Sequence, residues 1–371
     1  MPSGRVELEE LVDVTEERLA AVAAAFRTGA RTYESIGSPL YSALCLAGAE
    51  SPEAIGIAAH AMTGAQPVFH MLTAIHYLLL AEPDHPLGRY FETIAETPLP
   101  PEDAGTDFLA FCHEQRETII ETLHTSTVQT TFVDRCITML PALAWVADRT
   151  GEPLHLIEIG CSAGVLLTFD KYAYAINGGP QFGNAEARLT LAGEILGDPP
   201  LRIPRIASRT GLDLNPLDVR SERDRRWLNA QNFPEYRQQR EQLNVAFDVV
   251  ADTPITMIAG DALETLPAIL AETGDPVCMF HSVCLSYWSD TARAALDDML
   301  IAASRDRTLY RIGSEPSREF SAWNKGHDRS GRSKPRSSGE IEIVRYAKGG
   351  LEGRIVGTTD THRPIEWLGW G

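Results

Sequence analysis

The sequence predicts an α/β fold with a mostly parallel sheet, preceded by an all-helical region. Three observations carry this. Residues 1–150 offer a series of helix starts and no strand pattern. From Leu154 onward, short apolar strands alternate with helices, the mark of an α/β layer. The first strand, Leu154–Ile159, is apolar enough to be buried on both faces and breaks at the small-residue turn Gly160-Cys161-Ser162-Ala163-Gly164. The expected domains are therefore a helical one over 1–150, on the lid, substrate or partner side, and an α/β one over 151–371.

Bulk composition bounds the function. At 44% hydrophobic and 23% charged, the chain can bury an ordinary globular core. A formal net charge of −18 argues against non-specific binding to nucleic acid or an anionic membrane, because phosphate affinity rests on Lys and Arg. No apolar run reaches the ~18 residues of a spanning helix. The six cysteines form no C-x-x-C pair, so reduced thiols in a cytoplasmic protein are expected, with no metal site. Residues 1–10 lack a basic n-region and an apolar h-region, so no signal peptide is expected.

In the helical region, Thr15 is a candidate N-cap for a helix closing at Gly29. Ser38-Pro39 and Ser51-Pro52 start two more, with Pro at the first helical position. Gln66-Pro67 leads into an apolar helix over 68–81, and helices are expected over 106–123 and 130–149. His60, His70 and His76 lack metal-ligand spacing and read as hydrogen-bonded histidines.

In the second half, residues 165–172 read as the first turns of a helix. Residues 187–201 suggest a small hairpin, within an insertion near 180–205. Strands are expected at 206–216, ending in an acid and a turn, at 255–262, again ending in an acid, and at 276–283 and 308–313, with Glu315 just beyond the last. Helices are expected over 221–230, 235–251 and 289–303, and a closing pair of strands over 341–347 and 353–359.

A strand, a glycine turn and a helix start frame an anion or nucleotide site. The same residues also fit the nucleophile elbow G-x-S-x-G. The nucleotide reading needs a carboxylate after the next strand to accept from a ribose. Asp213 stands there, and Asp261 ends the following strand.

The series Glu158-Ile159-Gly160-Cys161-Ser162-Ala163-Gly164, Gly211-Leu212-Asp213-Leu214-Asn215-Pro216 and Gly260-Asp261-Ala262 resembles the motifs of class I S-adenosylmethionine-dependent methyltransferases. The resemblance implies a Rossmann-like sheet with an antiparallel closing strand, and S-adenosylmethionine as cofactor. It implies Glu158, Gly160, Ser162 and Gly164 at the cofactor's amino-acid end, Asp213 at the ribose, and Asp261 and Ala262 at the adenine, with Asn215 as a further cofactor-binding residue. Ser162 stands where glycine is more usual. Over nearly its full length the chain also resembles an uncharacterised bacterial family of unknown function with this core. Gly37-Ser38-Pro39-Leu40-Tyr41, Asp170-Lys171-Tyr172-Ala173-Tyr174 and His281-Ser282 carry that likeness. The chain departs from the family at Thr131 and Phe132, where Asn-Glu is usual after Gln129-Thr130, and at Leu166, where Asn is usual.

By the same resemblance His281 and Tyr287, at and after the fourth strand, are the candidate catalytic residues, with a buried hydrogen-bonded His as the alternative. The acceptor is expected to be a small molecule. A rival enzyme is an α/β-hydrolase with Ser162 as nucleophile, Asp261 or Asp306 as acid and His327 or His362 as base. A non-enzymatic rival is a degenerate cofactor-binding or interaction protein. The basic stretch 323–336 reads as a solvated loop or as a lid for an anionic substrate.

Overall fold

The computed structural model describes residues 12–316, 339–360 and 363–370. The basic stretch 323–336, with His327, and also His362 lie outside the described residues. The chain divides into two compact units. One holds residues 132–219 and the described residues from 245 onward. The other holds the described residues up to 131 together with 220–244. Helix 135–150 therefore belongs with the sheet, and 220–244 belongs with the helices.

The helical unit is built from α1 (Glu16–Ser35), α2 (Pro39–Ala49), α3 (Pro52–Ala58), α4 (Pro67–Ala81), α5 (Gly105–Glu114) and α6 (Arg116–Thr125). Thr15 caps α1 by accepting from the Arg18 N–H, and Ser51 caps α3 through the Ala54 N–H. Proline opens α2, α3 and α4. The helix expected over 106–123 is two helices, broken at Gln115. The core contains Phe26, Tyr41, Leu44, Leu72, Ile75 and Phe108.

Segment 220–244 is tied in by polar bonds. Glu235 accepts from the Ser38 hydroxyl at 2.8 Å and the Leu40 N–H at 3.0 Å, so it caps α2 from a distance. The Trp227 indole donates to the Thr127 carbonyl, the Gln129 N–H donates to the Gln231 side chain, and His76 bridges the Ala230 carbonyl and Thr93. His70 meets the Ser126 carbonyl at 2.7 Å.

In the other unit, α7 (Arg135–Thr150) leads into β1 (Leu154–Ile159). The strands β2 (Ala173–Ile176), β3 (Phe182–Gly183) and β4 (Thr190–Gly193) form a small separate sheet, in place of the expected hairpin. The remaining strands are β5 (Ile195–Leu196), β6 (Ile206–Asp213), β7 (Thr256–Ala259), β8 (Val277–Ser282), β9 (Leu309–Pro316), β10 (Gly339–Ala347), β11 (Gly350–Asp360) and β12 (Arg363–Trp367). Among the described residues they make, with β1, one nine-stranded sheet in the order β5-β12-β11-β10-β9-β8-β1-β6-β7. The pairings from β7 through β9 are all parallel, whereas β9 through β12 form an antiparallel meander. The fold is thus α/β with a mostly parallel sheet, and the closing strands expected over 341–347 and 353–359 are β10 and β11 of the antiparallel meander.

Helices α8 (Glu222–Ala230), α9 (Arg237–Ala251), α10 (Ala262–Glu272) and α11 (Asp290–Ala303) complete the chain. Leu266, Leu270, Leu296 and Leu300 of α10 and α11 cover Ile157, Val277 and Met279. Each fully buried aliphatic side chain of this kind contributes about 1.5–3 kcal/mol.

Candidate functional site

β1 is central, with β6 on one side and β8 on the other. The strand order reverses there, and in open α/β sheets the carboxyl ends of the strands border a crevice at such a point. Around it lie the turn after β1, Asp213 at the end of β6, Asp261 after β7 and the loop after β8.

The turn is left-handed at Gly160 (φ 72°), Ser162 (φ 52°) and Gly164 (φ 76°). Gly160 admits no side chain, since a Cβ there would overlap Sγ and Cβ of Cys284. The N–H groups of Gly160 and Cys161 both donate to the Leu212 carbonyl, at 2.8 and 3.0 Å, and Gly164 N–H donates to the Cys161 carbonyl at 2.7 Å. Asp213 then stitches the turn to β6. Its Oδ2 accepts the Ser162 N–H at 2.7 Å and its Oδ1 the Asn215 N–H at 2.9 Å. Gly260 N–H donates to the Asp213 carbonyl at 2.9 Å, which brings the end of β7 to the same edge.

No α-helix follows the turn. Residues Leu166–Lys171 form a 3-10 helix with a non-helical break at Thr168. The expected helix start is therefore replaced by a 3-10 segment, and the N–H groups of Gly160, Cys161, Ser162 and Gly164 are engaged within the protein. The nearby Asp170 pairs with Arg209 of β6 at 2.6 Å, and Leu166 is buried.

Glu158 is the penultimate residue of β1. It is 2% exposed, and its Oε2 has no hydrogen-bond partner. Burial, then the negative charge of Asp213, pushes its carboxyl well above the ordinary range, while the Arg135 guanidinium opposes the shift. Arg135 stands at the first turn of α7, 5.3 Å over the Phe132 ring, and interacts electrostatically with Asp134, Tyr287, Glu315 and Glu158. Sequence reasoning missed Arg135, because one cation at a helix start carries no local signal.

His281 is 0% exposed, and both ring nitrogens are engaged. Arg311 can only donate, so its 3.0 Å contact to Nε2 makes that nitrogen the acceptor and puts the proton on Nδ1, which donates to Glu315 Oε1 at 2.7 Å. Burial holds the imidazole below its usual pKa, consistent with a neutral ring. With both nitrogens taken up inside the protein, the ring matches the alternative reading, a buried hydrogen-bonded His.

Glu315, placed beyond the strand by the sequence, lies within β9 and is 3% exposed. Besides His281 it accepts the N–H groups of Cys284, Leu285 and Ser286 at 2.9–3.2 Å. Burial alone would raise its carboxyl, but these donors hold it below the ordinary range. It thereby fixes the loop that ends at Tyr287, which is 69% exposed. Arg311 continues the buried network to Tyr346, Asp297 and Glu342.

Asp261 caps α10, accepting the Leu263 N–H at 2.7 Å, and Ala262 begins that helix. Asn215 is exposed beyond Asp213. Of the hydrolase residues, His327 and His362 lie outside the described residues, and Asp261 stands at the same sheet edge as Ser162 but caps α10. Among the described residues no strand precedes β1, and Asp306 lies ahead of β9, at the opposite edge of the sheet. Also among the described residues, no three His, Cys, Asp or Glu side chains converge as metal ligands would, and no helix is long and apolar enough to cross a membrane.

Over residues 23–367 the chain matches DUF2332, the family described as an uncharacterized protein conserved in bacteria. It belongs to that family. No curated protein matches this DUF2332 chain. Among solved structures, it is similar to magnesium protoporphyrin IX methyltransferase from Synechocystis PCC 6803 with S-adenosylmethionine bound, at 17% identity and a TM-score of 0.27, covering 64% of this chain and 91% of the other. It is also similar to a protein from Listeria monocytogenes assigned to the class I S-adenosylmethionine-dependent methyltransferases. There the identity is 12% and the TM-score 0.28, covering 90% and 89% of the two chains. Both TM-scores are low, and the fold reading rests on the strand order of the chain itself.

Proposed function

We propose that this DUF2332 protein binds S-adenosylmethionine at the carboxyl edge of β1, β6 and β7 and transfers its methyl group to a small acceptor. The observation that carries this is the buried Glu158 carboxyl, whose Oε2 lacks a partner beneath a left-handed turn stitched by Asp213. A buried, unsatisfied acid costs folding free energy, and a cationic ligand group would offset that cost.

The residues present fit the cofactor chemically. Glu158 would face the cationic amino-acid end, and the turn of Gly160, Ser162 and Gly164 would let the ligand approach the backbone. A carboxylate offers about four lone-pair sites, so Asp213 can hold the turn and also accept from a ribose hydroxyl, beside Asn215. Asp261 and Ala262 would lie toward the adenine. When bound, the cofactor supplies an electrophilic methyl on a sulfonium. The protein's part is to orient the reactants and exclude water. Tyr287, exposed on the loop that Glu315 holds, is the candidate contact to the acceptor, and His281 acts as a positioning residue behind it.

Thermal unfolding with and without ligand tests this reading. S-Adenosylmethionine or S-adenosylhomocysteine at 100 times its Kd adds ~2.7 kcal/mol of stability, a readily measured shift in Tm. No shift with either ligand at millimolar concentration rejects the proposal.

A further inference from the structure

Glu158 is shut off from water, and its Oε2 finds no hydrogen-bond donor. Beside it, Asp213 has each oxygen on a backbone N–H, of Ser162 or Asn215, the pattern that suits a carboxylate. A second negative charge next to that group meets like-charge repulsion in a medium of low dielectric. The titratable groups facing Glu158 are Asp213 from β6, Arg135 and Cys136 from α7, Cys161 from the turn and Cys284 from the loop after β8. Arg135 alone among these is cationic, and its field is shared with Asp134, Tyr287 and Glu315.

We infer that Glu158 carries a proton in the ligand-free protein and releases it to solvent when a cationic ligand enters, so that cofactor capture is coupled to the loss of one proton. This rests on the S-adenosylmethionine reading of the site. The step balances simply: the carboxylic acid becomes a carboxylate, the proton passes to buffer, and no other bond changes. Burial and Asp213 both push the carboxyl upward, which agrees with the geometry. Two consequences follow from the charge. Affinity for a cationic ligand rises with pH until the carboxyl ionises without it. The carboxylate also favours S-adenosylmethionine, with its sulfonium, over S-adenosylhomocysteine, with its neutral thioether.

Titration calorimetry at about pH 7, in phosphate and in Tris, separates the outcomes, because the two buffers take up a proton with different heats. For S-adenosylmethionine the difference should correspond to about one proton released. In Glu158→Gln the release should vanish, and the preference for S-adenosylmethionine over S-adenosylhomocysteine should shrink by roughly tenfold. Saturable binding with equal heats in both buffers overturns the proton coupling and leaves the cofactor reading standing. A Glu158→Gln variant that still releases the proton overturns it as well. No saturable binding of either ligand overturns both. Should Glu158→Gln fail to bind, the wild-type Kd between about pH 6 and 8 decides, since a flat profile is incompatible with the coupling.

Discussion

Two turns flank the crevice, and they are built alike. Each follows a parallel strand, β1 or β8, and each contains a non-glycine residue in the left-handed region, Ser162 at φ 52° or Val283 at φ 51°. Each is held by a carboxylate that accepts backbone N–H groups, Asp213 for the first and Glu315 for the second. The difference is burial. Asp213 is half-buried, whereas Glu315 is sealed and backed by His281. Water can compensate a half-buried acid in part, so that acid can also serve a ligand. A sealed acid with its donors in place is scaffold, and losing it leaves those donors stranded.

Perturbing the two acids should separate the turns most sharply. Glu315→Ala strands three N–H groups and the His281 Nδ1–H, and should cost about 3–5 kcal/mol in urea unfolding. Asp213→Ala should cost roughly 1–3 kcal/mol and abolish binding of S-adenosylmethionine. Equal stability losses would break the comparison. Smaller effects come from backbone strain. Ser162→Gly removes the left-handed penalty and should change stability by no more than about 1 kcal/mol, in the stabilising direction. Tyr287→Phe removes one hydroxyl from an exposed side chain and should cost about 1 kcal/mol or less, so a loss of methyl transfer much larger than the loss of stability supports its place on the acceptor side.

The pH dependence should run in opposite senses at the two sites. His281 folds with its imidazole below the ordinary 6.5, so the unfolded chain takes up a proton first and stability is lost as pH falls below 6.5. Glu315, held below 4.5, extends that acid loss to lower pH. Glu158 folds with its carboxyl above 4.5, so its contribution weakens as pH rises past that value. Urea midpoints from about pH 4 to 8 should therefore show His281→Gln flattening the acid limb and Glu158→Gln flattening the limb above it. A Glu158→Gln variant less stable than wild type at neutral pH would contradict the buried-acid picture.

Much of the fold was legible along the chain. Thr15, Ser51 and Ser221 mark helix starts because a cap acts over three residues. β8 reads as a strand because Val277-Cys278-Met279-Phe280 is a short apolar run, and all six of its positions are buried. The failures have a common cause. Residues 165–172 resemble a helix start, yet the chain turns off into β2 after a 3-10 helix. Residues 220–244 have helical periodicity, and nothing in it says that Glu235 will cap α2 or that Trp227 will reach Thr127. Of the site, the glycines and the acids at the strand ends were legible by spacing. Arg135 and Glu315 were not, since their importance lies in partners more than twenty residues away.

By itself the sequence determined where most strands and helices begin, that a small-residue turn follows β1, and that acids tip the strands beside it. These are local consequences of propensity, capping and steric exclusion. Tertiary structure alone decided what each polar group does: Asp213 ties the turn, His281 is sealed against Arg311 and Glu315, and Glu158 is left with an unpartnered oxygen. The reason is that desolvation and long-range hydrogen bonding depend on which groups meet after folding.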